Sequence, residues 1–64
     1  MNQKTELEDL KFDSELKAKN LKTATESVLT DGFNSLFLLK NYLQCKNESI
    51  ESINRLITHL EAQD

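Results

Sequence analysis

The stretch Thr30-Asp31-Gly32-Phe33-Asn34-Ser35 splits this 64-residue chain into two arms, because it holds the only glycine and no proline occurs anywhere. A glycine just past the last helical turn can take the left-handed conformation that closes a helix, and Asn34 or Ser35 can cap the helix that follows. Apolar residues recur at helical spacing on both sides of this break. The predicted fold is all-α: an antiparallel two-helix hairpin forming one domain over 1–64. The first helix covers about 5–30, the turn 31–34 and the second helix about 35–62. Such a hairpin has little interior of its own, so self-association into a four-helix bundle is open to it.

Composition narrows the partner. A chain this short usually needs a disulfide, a metal or another protein surface to be stable. Cys45 is the only cysteine and His59 the only histidine, so no internal disulfide forms and no metal cluster or cofactor site is expected. A protein surface remains. The net charge of −3, with acids and bases interspersed, argues against nucleic acid as a partner. No cationic start leads into an apolar run, and no stretch approaches the ~20 apolar residues of a membrane span. The expectation is a cytoplasmic protein that meets neither membrane nor small-molecule substrate.

In the first arm, Thr5 and Glu8 have the spacing of a capping box, and Glu6, Glu8 and Asp9 suit the positive end of a helix beginning near residue 5 or 6. Asp13 with Lys17 and Glu15 with Lys19 are acid-before-base pairs four residues apart. Leu7, Leu10, Ala18, Leu21, Ala24, Val28 and Leu29 fall on one stripe, interrupted by Ser14 and Thr25, and this stripe is expected to face the second arm. Phe12 and Leu16 touch each other but point roughly the opposite way. They are read either as tolerated surface apolars or as a partner footprint.

In the second arm, Leu36, Leu39, Tyr42, Leu43, Ile50, Ile53, Ile57 and Leu60 share a broad face, and Leu38, Cys45 and Leu56 widen it. Phe33 and Phe37 lie off it, either closing the hairpin end or meeting a partner. Asn47, Glu48 and Ser49 are weak helix formers, yet the stripe keeps phase across them, which predicts one continuous helix. The apolar surface exceeds what a two-helix contact hides, so docking is expected, with Phe12, Leu16, Phe33, Phe37 and Leu38 as candidate partner-binding residues.

Catalysis is not expected. Cys45 and His59 lie about 20 Å apart on a continuous helix, at ~1.5 Å per residue, beyond the hydrogen-bond reach of a catalytic pair. Cys45 reads as a packing residue, His59 as a helix-surface residue near a carboxyl end, and the acids as a solvated face.

Thr5, Leu7, Glu8, Asp9 and Leu10, followed by Ser14, Ala18 and Lys19, resemble the start of the small E-type co-chaperones of bacterial type III secretion, the YscE, PscE, AscE, SsaE and EscE group. Members of that family are similarly short hairpins with a turn near the midpoint. The resemblance implies a cytoplasmic protein that pairs with a larger helical-repeat chaperone of the G type. Through that partner it would help keep the needle subunit monomeric before export. The glycine-rich turn of some relatives is reduced here to Gly32, and the second arm matches no family signature residue by residue. No binding residue is carried over from the family. A free-standing homodimeric regulator or inhibitor, acting by protein binding, is the alternative reading.

Overall fold

The computed structural model describes residues 3–31 and 33–63. They form two helices, α1 (Gln3–Asp31) and α2 (Leu36–Ala62), packed against each other as a hairpin 46 Å long and 15 Å across. The expected all-α hairpin is what the chain adopts. The closing role expected of Gly32 lies outside the described residues.

The helix starts differ in kind. Ser35 caps α2: its backbone is extended, and its Oγ accepts the Leu38 N–H at 3.2 Å, satisfying one of the orphan donors of the first turn. Asn34 precedes this cap. At the other end the expected capping box is displaced. α1 already includes Gln3, so Thr5 sits inside the helix and not at its boundary.

α2 runs unbroken through Asn47, Glu48 and Ser49. Two contacts account for that continuity. The Gln44 side-chain amide donates to Glu48 Oε2 at 3.1 Å across one turn, and Ser49 turns inward and is buried.

The hairpin is closed by two matched rows. In α1 the inward positions are Leu7, Leu10, Ser14, Lys17, Leu21, Ala24 and Val28; in α2 they are Leu38, Tyr42, Cys45, Ser49, Ser52, Leu56 and His59. Steps of three and four alternate along both rows, the spacing of a coiled-coil seam. Among the described residues, only Ala24 and Val28 are buried apolar residues, beside the buried Ser49 and Ser52. Small side chains at the centre let the helices approach, but they remove little oil from water.

Two expectations about the inward faces are corrected here. Ala18 and Leu29 were expected on the α1 face that meets α2, and both are exposed. In α2, six of the eight residues of the expected stripe are exposed: Leu36, Leu43, Ile50, Ile53, Ile57 and Leu60. The residues thought merely to widen it, Leu38, Cys45 and Leu56, are the ones that lean on α1. The physical reason is rotation by a single residue. The inward row of α2 and the apolar row beside it differ by one position, about 100° around the helix. Polar partners on α1 select the less apolar of the two.

Candidate protein-binding surface

Those polar partners are specific. Ser52 is fully buried, and its hydroxyl donates to Asp13 Oδ2. With its one proton spent there, it accepts from Ser14 Oγ at 3.1 Å. Arg55 Nη2 lies 3.5 Å from Asp13 Oδ2, and Lys17 Nζ lies 3.8 Å from Asp13 Oδ1. The Ser52 hydrogen bond, chiefly, holds the Asp13 carboxyl below the usual carboxylate range; partial burial works against it, and Lys17 and Arg55 add to the lowering. Asp13 is thus half-buried and bridges the helices, which corrects the expectation that all the acids form a solvated face.

Nearer the chain ends, His59 Nδ1 faces Glu6 Oε2 at 3.8 Å, and its Nε2 is 3.0 Å from the Gln63 amide nitrogen. The His59 side chain is 15% exposed, so it belongs to the seam and not to the outer surface as expected. Among the described side chains, no buried nitrogen or oxygen lacks a hydrogen-bond partner. The seam is therefore satisfied and polar at its middle, with register set by hydrogen bonds across it.

One residue around α2, the chemistry reverses. Leu36, Leu39, Leu43, Lys46, Ile50, Ile53, Ile57 and Leu60 again alternate steps of three and four, and seven of these eight are branched aliphatics. Leu39 is half-buried; the remaining aliphatics of this outer row are 42% to 67% exposed. The matching side of α1 carries Glu8, Lys11, Glu15 and Lys22 along most of its length and turns apolar only near the turn, at Leu29. Towards the turn the row opens into an apolar groove of about 440 Å³, lined by Thr25, Val28, Leu29, Phe33, Leu39, Tyr42 and Leu43. The accessible surface totals 5026 Å². A compact protein of this mass exposes roughly 4200 Å², so the elongated hairpin leaves about 800 Å² more surface in water than a globule would.

The five candidate binding residues do not converge on one patch. Phe33, 69% exposed, lines the turn-end groove. Phe12 and Leu16 line a separate small groove with Glu15 and Lys19, on the flank of α1 away from α2. Phe37 is exposed but lines neither groove, and Leu38 is half-buried on the α1 side. Ile50, Ile53, Ile57 and Leu60 were missed as surface residues because apolarity alone assigned them to the hairpin contact. The usable signal was the second three-four repeat beside Ser49 and Ser52, complementary to Ser14 and Asp13 in the other arm.

The described residues hold no group of three or more metal-ligating side chains and no helix long and apolar enough to cross a membrane. Cys45 and His59 stand fourteen residues apart on unbroken α2, ~21 Å at the helical rise. What the arrangement offers is a long aliphatic row with a groove at one end. Comparison with protein-family models, curated proteins and solved structures finds no match for this chain.

Proposed function

We propose that this chain is a small cytoplasmic co-chaperone. It pairs with a helical-repeat chaperone of the G type and, through it, helps keep a type III secretion needle subunit monomeric before export. One observation supports the reading most: the outer row of α2, seven aliphatic side chains in register and largely unpartnered. A helical-repeat protein offers concave apolar surfaces between stacked helices, the shape that takes such a row. Burial of Ile50, Ile53, Ile57 and Leu60 stabilises the complex by ~1 kcal/mol each before ordering costs, about half the value for a fully exposed aliphatic side chain, because each starts near half exposure. The chain acts by covering surface and not by catalysis.

Light scattering after co-expression with a tagged G-type chaperone tests this. A one-to-one complex that Ile53→Asp dissolves supports it; a hairpin that never joins the chaperone rejects it. The alternative, a homodimeric regulator or inhibitor, draws on the charges beside the outer row, which are complementary to themselves.

A further inference from the structure

We infer that the free chain pairs with a second copy of itself through the outer row of α2, the two α2 helices running antiparallel. This concerns the chain without a chaperone and goes beyond the co-chaperone reading. In one register, Ile50 packs against Ile53 of the second copy and Leu43 against Leu60. Lys46 meets Ile57, and by two-fold symmetry every pairing occurs twice. The flank of the row away from α1 then decides the match. It carries Lys40, Asn47, Asn54 and Glu61, all exposed. The same register sets Lys40 against Glu61 of the second copy and Asn47 against Asn54, so each flanking pair is complementary in charge or hydrogen bonding.

Lys46 selects this register over its neighbour. Shifted by one heptad, the row also covers Leu36, but the two Lys46 ammonium groups then lie one turn apart, ~6 Å along the axis, inside an apolar seam. In the favoured register they are ~16 Å apart. Leu60 of the second copy arrives beside Leu43, at the mouth of the groove that Leu29 and Phe33 help line. Pairing along the row covers Leu43, Ile50, Ile53, Ile57 and Leu60, each 42% to 55% exposed in the single hairpin.

Light scattering of the 64-residue chain at about 100 μM, a concentration that populates even micromolar dimers, reads the inference directly. The expected mass is twice that of the 7.4 kDa chain. Lys40→Glu and Glu61→Lys should each weaken the dimer about five- to tenfold, and the double exchange should restore it, because opposite charges face each other again. These surface variants stay helical, which circular dichroism verifies. A monomer at that concentration overturns self-pairing, including one that gains mass only with the helical-repeat chaperone. A dimer indifferent to both single reversals, or one left weak by the double exchange, overturns the register.

Discussion

The two faces of α2 differ by one step of sequence and have opposite characters. The inward face is small and polar at its middle, through Cys45, Ser49 and Ser52, between Leu38 and Tyr42 on one side and Leu56 and His59 on the other; the outer face, through Leu43, Ile50, Ile53 and Ile57, is bulky and aliphatic. The inner face makes a specific contact of low apolar content, in which Asp13, Ser14 and Ser52 fix where α1 lies. The outer face has large apolar content and, beyond the turn-end groove that Leu39 and Leu43 share with Val28 and Leu29, is left largely exposed by the hairpin. Burial dominates association energies, whereas buried polar groups act mainly through the penalty for mispairing them. The inner face therefore specifies the hairpin, and the outer face supplies most of what remains to be gained when it is covered.

The largest effect should come from charging the outer face. Ile53→Asp with Ile57→Asp should weaken any assembly through α2 by a hundredfold or more, since two aliphatic contacts are replaced by desolvated carboxylates. Sedimentation equilibrium measures it, and an unchanged mass would show that the row is not the interface. Breaking the inner face should cost less. Ser52→Ala leaves Asp13 and Ser14 without their shared hydroxyl and should lower stability by about 1 kcal/mol in urea unfolding, with the assembly state retained. The loss of the Ser35 cap in Ser35→Ala belongs to neither face and should cost about as much, through fraying of the first turn of α2.

Acid should loosen the inner face selectively. The Asp13 carboxyl titrates below its ordinary value in the fold, so its contribution is complete above the unfolded carboxylate range and is lost as pH falls through the lowered value. Urea midpoints for the chain should therefore drop below about pH 4, and Asp13→Asn should show a shallower drop. Equal slopes for both proteins would remove Asp13 from the acid response. The smallest effect is expected at the other small groove. Phe12→Asp with Leu16→Asp should change assembly less than about twofold, because these residues lie on the flank of α1 away from the row. A large loss there would mean that the partner wraps around the hairpin.

The hairpin itself was legible because a single break between two periodic arms leaves few alternatives. The continuity of α2 followed from the unbroken phase of its apolar residues, and the Ser35 cap from ordinary capping chemistry. The facing of α2 was not legible from apolarity, since Ile50 and Ile53 outweigh Ser49 and Ser52 on any hydrophobic scale. It was decided by pairing across the hairpin, where Ser52 meets Asp13 and Ser14, a relation between positions nearly forty residues apart. Phe12, Leu16, Phe33 and Phe37 are all exposed, yet they do not join into one surface: Phe33 lines the groove with Leu39, Tyr42 and Leu43, and Phe12 and Leu16 line another. The aliphatic row that does form a surface was concealed because it was credited to the core.

The concentration dependence of thermal unfolding tests most directly whether the outer row of α2 depends on cover from another molecule. Association through the row couples folding to concentration, so the Tm of the isolated chain should rise as concentration increases, and Ile53→Asp should flatten that rise. A cooperative Tm above ~65 °C, independent of concentration and in a protein whose mass is that of a monomer, would contradict the account.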